Sequence, residues 1–182
     1  EIASCLVGSE MCIRDRYTGA LEILKVILSY DYLWINLRVK GGAYGCMSGF
    51  KRNGESFLVS YRDPHLKRTL EVYQGVPDYI RAFEADEREM TKYIIGTISN
   101  KDVPRTPQMQ GSISKTAYFS NVTEDMLQKE RNQILGAQKE DIQKLAALVE
   151  AVLSDDQICV VGSETAIEKA EDVFMEVKPL IG

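Results

Sequence analysis

The sequence predicts an α+β domain in which several helices accompany a small sheet. Apolar residues recur at helical spacing along most of the chain, whereas one segment alternates around an Asn-Gly pair as a β-hairpin does. A short continuous apolar run near the C-terminal end predicts a further strand. Three predicted strands against six or seven predicted helices are too little sheet for an independent two-layer domain.

The composition limits the classes of function. The 182 residues are 45% hydrophobic and carry a net charge of −5 at pH 7, which fits one domain with a hydrophobic core. The scattered Lys and Arg residues do not form the basic stripe that binding to a phosphate backbone requires. No apolar run approaches the length of a membrane span. We therefore expect neither nucleic acid nor a membrane as a partner.

The first predicted helix leads into a pair of glycines. Its apolar residues recur at helical spacing from Leu21 onward, until Gly41 and Gly42 end the pattern. Arg38 therefore falls in the last helical turn, and Tyr44 falls at the start of the strand that follows. The sequence places both side chains at one sharp corner.

A hairpin follows this corner. Residues 44–50 and 55–62 read as two strands joined at Asn53-Gly54, a pair that predicts a type I′ turn. Alternation on the second strand puts apolar residues on one face and mainly serines on the other, so we expect a sheet covered on one side and partly open on the other. The run Ile158-Cys159-Val160-Val161 predicts a buried strand.

Caps and stop signals bound the remaining helices. Asp63-Pro64 predicts a helix start, and Gly75-Val76-Pro77 predicts a kink in that helix. Asp86 with Glu89 has the spacing of a capping box. We expect Arg62, just before the first of these caps, to pair locally, with a substrate contact as the alternative. Further helices are predicted near 113–119, 123–135 and 139–153, and after Ser163.

Residues 5–16 have neither helical nor strand periodicity, and they lack the apolar core of a signal peptide. Residues 4–16 resemble translated sequencing-library adaptor. We therefore interpret 1–16 as an artefactual or disordered leader and 17–182 as the domain. Cys5 and Cys12 lie within the adaptor-like segment. The other two cysteines, Cys46 and Cys159, lie in apolar runs and are expected to be buried thiols. Buried free thiols fit a reducing compartment, either a bacterial cytoplasm or an organellar matrix.

Three segments carry a resemblance to a known family: Asp31-Tyr32-Leu33-Trp34, residues 38–45, and Ser60-Tyr61-Arg62-Asp63-Pro64. From about Tyr17 onward, the chain resembles the C-terminal half of the presequence protease group of the insulinase-type (M16) zinc metallopeptidases. This resemblance implies an antiparallel sheet with helices packed on one face. It also implies that the sheet is N-terminally truncated here, because part of it would come from sequence upstream of Tyr17.

The resemblance implies a function for the corner. In this family, a clam-shaped enzyme encloses an unfolded peptide between two homologous halves. The N-terminal half holds zinc through a His-x-x-Glu-His helix, and the C-terminal half lends an arginine and a tyrosine, which match Arg38 and Tyr44. A phenolic donor can stabilise the oxyanion of peptide hydrolysis, and a guanidinium can bind a substrate carbonyl or carboxylate. Gly41 and Gly42 would let the backbone approach an extended peptide.

An alternative role for Arg38 and Tyr44 stays open at the level of sequence. The ordinary structural explanation is that Arg38 neutralises the C-terminus of a helix while Tyr44 fills the sheet. In addition, the chain has a single histidine, His65, and cannot form the two-histidine zinc site by itself. We therefore expect no cofactor in this chain and zinc in the parent enzyme.

Together, these observations favour the C-terminal part of a zinc endopeptidase that degrades unstructured peptides and whose partner is its own N-terminal half. The alternative is a non-catalytic scaffold or chamber-wall subunit of the same superfamily.

Overall fold

The computed structural model describes residues 3–9 and 16–179. Its strands form one antiparallel sheet in the order β2-β3-β1-β4, where the strands are β1 (Ala3–Ser9), β2 (Gly45–Phe50), β3 (Ser56–Asp63) and β4 (Ile158–Val161). The α-helices are α1 (Ala20–Ile27), α2 (Leu66–Gln74), α3 (Val76–Arg81), α4 (Glu87–Lys101), α5 (Pro107–Phe119), α6 (Glu124–Leu135), α7 (Lys139–Gln143), α8 (Ala146–Ser154) and α9 (Glu164–Glu168). The predicted α+β class is confirmed.

Strand β1 occupies a central place in the sheet, although no strand was predicted in this part of the chain. Ala3–Ser9 pairs with β3 on one side and with β4 on the other. A strand bonded on both sides is stabilised by two backbone ladders, and these do not depend on side-chain alternation. The absence of periodicity in residues 5–16 was therefore a poor guide to the backbone. The adaptor-like origin of residues 4–16 stays a prediction.

The sheet is covered on one face and open on the other, as predicted, but the covered face is the one that carries the serines of β3, whereas Phe57, Val59 and Tyr61 are only partly buried or exposed. Ser48, Leu58 and Ser60 lie on the buried face, whereas Met47 and Tyr61 on the opposite face are largely exposed. Strand β4 was predicted to be buried, and this prediction is wrong. It is an edge strand whose Cys159 and Val161 lie exposed on the open face. The two cysteines were expected to be buried thiols, but Cys159 is exposed and Cys46 is only half-buried.

Helix α1 forms the centre of the hydrophobic core. Its residues Leu21, Ile23, Leu24 and Ile27 have no exposed surface, because the helix lies between the sheet and helices α4, α6 and α7. Burial of the apolar face of this helix makes a large hydrophobic contribution to stability. It also fixes the direction of the chain that runs on to the corner.

Beyond α1, the predicted helix continues as π-helix over Leu28–Tyr32 and Trp34–Val39. The buried residues Leu28, Leu33 and Leu37 follow one another at spacings of five and four, which suits a wider helical turn than the α-helix. That spacing was the sequence signal for the π-helix, although an ordinary helix was predicted there. Short π-helical segments are rare and occur frequently at functional sites.

The turn of the β2–β3 hairpin is a three-residue loop and not the predicted type I′ turn. The backbone N–H of Lys51 donates to the carbonyl of Glu55 at 2.8 Å, and Gly54 N–H donates to the carbonyl of Lys51 at 3.0 Å. Gly54 has φ of +101°, whereas Asn53 does not adopt a positive φ. A type I′ turn needs a positive φ at both central residues, so only the glycine serves the left-handed position here.

The remaining helix signals are largely confirmed. The capping box between Asp86 and Glu89 is formed, Gly75 separates α2 from α3, and Ser163 caps α9. Asp63 was expected to cap α2, but that helix begins three residues later, at Leu66. The predicted helix 139–153 is divided into α7 and α8, and α5 begins earlier than predicted, at Pro107. Within the described residues, no helix is long and apolar enough to cross a membrane.

Candidate functional site

The corner between the π-helix and β2 is closed by backbone hydrogen bonds. Ala43 N–H donates to the carbonyl of Leu37 at 2.9 Å, and Gly42 N–H donates to the carbonyl of Arg38 at 3.0 Å. Gly42 adopts φ of +79°, a left-handed conformation that favours glycine. At Gly41, an added Cβ would lie 2.5 Å from the Leu37 carbonyl oxygen. Both glycines are therefore required by the turn, and their approach to a peptide stays a prediction.

The guanidinium of Arg38 is held in place from two sides. Its Cζ lies 4.2 Å from the centre of the Trp34 ring, one turn earlier on the π-helix. Its Nη1 donates a hydrogen bond of 2.9 Å to the backbone carbonyl of Tyr44. A guanidinium has five N–H donors, so this arrangement leaves others available for a ligand. The structure thus brings the two predicted residues, Arg38 and Tyr44, together.

The side chain of Tyr44 lies outside the core, with 62% of its surface exposed. Its backbone N–H is shared between the carbonyls of Tyr61 and Arg62, at 3.1 and 3.3 Å, which ties it to the end of β3. Its ring meets the ring of Tyr61 edge to face, with 6.0 Å between centres. The ring therefore packs against Tyr61 of β3 and is not part of the core.

Arg62 joins the site from β3. Its Cζ lies 5.6 Å from the centre of the Tyr44 ring and 5.5 Å from that of Tyr61. The residue adopts φ of +52°, which is strained for a side chain other than glycine, asparagine or aspartate. Strained residues of this kind cluster at binding sites and active sites.

Neither arginine at this corner has a carboxylate partner. Among the residues that the structure describes, no ion pair involves Arg38 or Arg62. The local partners of Arg62 are therefore the rings of Tyr44 and Tyr61. Sequence reasoning gave Trp34 no role in the site, although its spacing of four from Arg38 on a predicted helix was an available signal.

The corner rests on a buried carboxylate. Asp63 is 3% exposed, and its Oδ1 accepts a hydrogen bond of 2.9 Å from the backbone N–H of His65, while its second oxygen accepts from the hydroxyl of Thr69. On the surface, Arg68 Nη1 donates to the carbonyl of Lys40 at 3.1 Å. These bonds fix the strand end and the helix end relative to one another, so that the aromatic and guanidinium groups above them share a rigid base.

The same region offers neither a thiolate nucleophile nor a metal site. Burial raises the pKa of the Cys46 thiol, and the nearby Arg38 guanidinium opposes this rise only in part, so the thiol stays protonated at neutral pH. His65 is an exposed residue directly before α2. Within residues 3–9 and 16–179, no group of three or more His, Cys, Asp or Glu side chains could hold a metal ion.

Solved structures with a similar fold include a peptidase domain and pitrilysin. The chain resembles the peptidase M16 inactive domain from Pseudomonas fluorescens with a TM-score of 0.63 and 18% identity, over 88% of this chain and 40% of that one. It also resembles pitrilysin with a TM-score of 0.58 and 14% identity, over 87% of this chain and 18% of that one. At these identities the likeness establishes the fold alone.

The sequence itself identifies the family. The model of the PreP C-terminal domain matches residues 13–164. Protein HypA of Clostridium perfringens (strain 13 / Type A) is 49% identical over 166 residues, which are 91% of this chain and 17% of that protein. Presequence protease 1, chloroplastic/mitochondrial, of Arabidopsis thaliana is 33% identical over 164 residues, which are 88% of this chain and 15% of that protein. The chain belongs to the PreP C-terminal domain family, and it spans less than a fifth of the length of these relatives.

Proposed function

We propose that this chain acts as the C-terminal part of a zinc-dependent endopeptidase that degrades unstructured peptides. The observation that carries the proposal is the placement of Tyr44. Its ring is largely exposed at the open corner while its backbone is fixed by β3 and by Arg38. Exposed tyrosines also occur elsewhere, as at Tyr118, so the distinguishing feature of Tyr44 is that its exposed ring is combined with a backbone held by β3 and Arg38.

Tyr44 is suited to stabilise the transition state of amide hydrolysis. When water adds to the scissile carbonyl, the oxygen gains negative charge, and a preorganised hydroxyl donor stabilises that charge. In this chain, the bond from Arg38 Nη1 to the Tyr44 carbonyl holds the guanidinium close to the Tyr44 backbone. The Tyr44 ring centre lies 5.8 Å from Arg38 Cζ, so both side chains face the same open corner.

Arg38 is suited to bind the substrate. The stack on Trp34 orients its guanidinium plane, and the unused N–H groups can donate in parallel to a peptide carbonyl or carboxylate. This interaction is already present in the ground state, so it contributes more to binding than to the chemical step. Gly42, exposed beside it, leaves room for a peptide backbone.

The zinc ion of the parent enzyme would be held by the N-terminal half, where it would activate the attacking water. The relatives are several times longer than this chain, which leaves room for such a half. The peptide would bind between the halves. A bacterial cytoplasm or an organellar matrix fits this function, and relatives from Arabidopsis and Aspergillus oryzae carry chloroplastic or mitochondrial names.

A second candidate is a non-catalytic scaffold or chamber wall. It is favoured by the structural relative from Pseudomonas fluorescens, which is titled an inactive domain. The arrangement of Arg38 and Tyr44 argues for the peptidase, because a wall needs neither an exposed phenol nor a guanidinium stacked beside it.

The test is made in the full-length enzyme that joins this chain to its zinc-binding half. Tyr44→Phe removes one donor to the oxyanion and is expected to lower kcat about 100-fold or more at unchanged zinc content. Arg38→Ala is expected to lower kcat/KM with a larger share in KM. Tyr118→Phe is the matched control, since Tyr118 is 79% exposed on α5. If Tyr44→Phe and Arg38→Ala both keep wild-type kcat and KM in folded protein, the scaffold is the better explanation.

A further inference from the structure

The surface around the corner is basic in a chain that is acidic overall. Residues 32–70 contain two acidic residues. The basic residues of this range that lie at the corner are Arg38, Lys40, Arg62 and Arg68. Lys51 and Arg52 lie at the opposite end of the hairpin, and Lys67 is paired with Asp172. Glu55 is used at the hairpin turn by Lys51, and Asp63 is buried beneath the corner. The net charge of the whole chain is −5, so this local excess of positive charge is a property of the corner.

Two guanidinium groups in this surface share one aromatic ring. The Cζ atoms of Arg38 and Arg62 lie 5.8 and 5.6 Å from the centre of the Tyr44 ring. Arg38 gives one N–H group to the Tyr44 carbonyl, and within the described part of the chain the side chain of Arg62 donates no hydrogen bond. Contacts with aromatic rings orient both guanidinium groups, and such contacts leave the N–H donors at the guanidinium edges available for hydrogen bonds.

We propose that Arg38 and Arg62 together bind a carboxylate of the peptide ligand. The proposal rests on the proposed function only for the statement that the ligand is a peptide. A carboxylate matches the parallel N–H groups of a guanidinium, whereas a neutral carbonyl satisfies fewer of these donors. Arg62 is thereby a residue that determines specificity, and its left-handed backbone places its guanidinium beside Tyr44.

The carboxylate can come from an acidic side chain or from the C-terminus of the peptide. Both present the same two oxygens, so the site binds the same chemistry in either case. The whole chain repels acidic ligands through its net negative charge, so a preference for the carboxylate form reports the local site.

The experiment measures binding by the 182-residue chain with fluorescence anisotropy and needs no zinc or turnover. Four labelled forms of one unstructured peptide are compared: free C-terminus or C-terminal amide, each with Glu or Gln at one internal position. At least one carboxylate form is expected to bind about tenfold more tightly than its amide counterpart. An effect confined to the C-terminal pair identifies the chain end as the ligand, and an effect confined to the Glu/Gln pair identifies an acidic side chain.

Arg62→Asn is the decisive variant, because asparagine tolerates the left-handed backbone while removing the charge. It is expected to reduce the tenfold preference to about twofold, and Arg62→Lys, which keeps the charge but loses the paired donors, is expected to give an intermediate value. Arg62→Gly replaces Arg62→Asn if the latter does not fold. Arg105→Asn, which removes an exposed arginine before α5, is the matched control and is expected to keep the full preference.

Equal affinity for carboxylate and amide forms, or an unchanged preference in folded Arg62→Asn, would overturn the proposal. Failure of the catalytic proposal has a different signature. In that case Tyr44→Phe leaves turnover of the full-length enzyme unchanged, while the carboxylate preference of the isolated chain and its loss in Arg62→Asn are still observed.

Discussion

The β2–β3 hairpin carries an arginine beside aromatic rings at each end, and the two ends differ in what completes the cluster. At the turn, Arg52 lies 4.9 Å from the centre of the Tyr17 ring and forms an ion pair with Glu130. At the open end, Arg38 and Arg62 contact Trp34, Tyr44 and Tyr61, and no carboxylate completes the cluster within the described residues. The same residue types therefore serve two purposes.

The two ends differ because, among the described residues, only the turn end contains a carboxylate that pairs with its arginine. Glu130 is 5% exposed and pairs with Lys101 as well as Arg52, so it links the hairpin turn and the end of α4 to the middle of α6. Because Glu130 already pairs with both Arg52 and Lys101, neither cation is available to bind a ligand carboxylate. The open end keeps its donors exposed and available. Stability should therefore depend on the turn end and function on the open end.

The largest expected effect on stability is at the turn end. Glu130→Gln removes the negative charge from between two cations, and we expect a loss of about 2–4 kcal/mol in the free energy of unfolding. The lower part of the usual range for buried pairs applies because Arg52 and Lys101 remain partly exposed. Urea unfolding of both proteins at pH 7 measures the difference.

Asp102→Asn is the matched control for this prediction. It also breaks a carboxylate–arginine pair, with Arg131, but on the surface of the protein. Exposed pairs contribute little, so its unfolding midpoint should stay close to that of the wild type. Equal losses in Asp102→Asn and Glu130→Gln would show that burial does not distinguish the turn end.

The two ends also differ in how far the sequence predicts them. Gly41 and Gly42 stop a helical pattern, so local rules place Arg38 and Tyr44 at one corner. The strand pairing of Gly45 with Tyr61 then brings Arg62 to the same place, and the predicted hairpin could have indicated this neighbour. The site was predictable because it depends on a glycine pair and one turn.

The burial of Glu130 and its pairing with Arg52 could not be predicted from local sequence patterns. It lies on α6, 78 positions from Arg52, and a glutamate in a polar helix reads as a solvent-exposed residue. Its burial follows from how α6 packs against α1 and α4, which no local pattern specifies. Strand β1 escaped prediction for a similar reason, since its place depends on pairing with two distant strands.

The next prediction concerns the pH dependence of stability at the turn end. Burial, and secondarily the carboxylate of Glu22, raise the pKa of Tyr17 well above its ordinary value. An unfolded tyrosine loses its proton near pH 10. Above that pH the native state therefore binds more protons than the unfolded state, and stability falls as pH rises. Below pH 9 the contribution of Tyr17 is fully present.

Tyr17→Phe removes this titration. Unfolding free energies at pH 9 and pH 11 should show a smaller loss in Tyr17→Phe than in the wild type, whereas the difference between the two proteins should be constant from pH 7 to pH 9. Tyr32, Tyr79 and Tyr93 also have raised pKa values, so some loss is expected in both proteins. Parallel profiles up to pH 11 would mean that Tyr17 is not enclosed at the turn end.

The smallest expected effect is of opposite sign and lies at the open end. Arg62 adopts φ of +52°, a conformation that costs a residue with a side chain about 1–2 kcal/mol relative to glycine. Arg62→Gly relieves this strain, while the flexibility of glycine in the unfolded state and the loss of ring contacts offset part of the gain. We expect a net increase of about 0.5 kcal/mol in the free energy of unfolding, measured by urea unfolding at pH 7.

Arg52→Gly, at the other end of the same hairpin, should instead destabilise the protein, because it leaves Glu130 with one partner fewer. If Arg62→Gly destabilises the protein as much as Arg52→Gly does, then Arg62 stabilises the fold in the way that Arg52 does, and the two ends of the hairpin do not divide stability from binding.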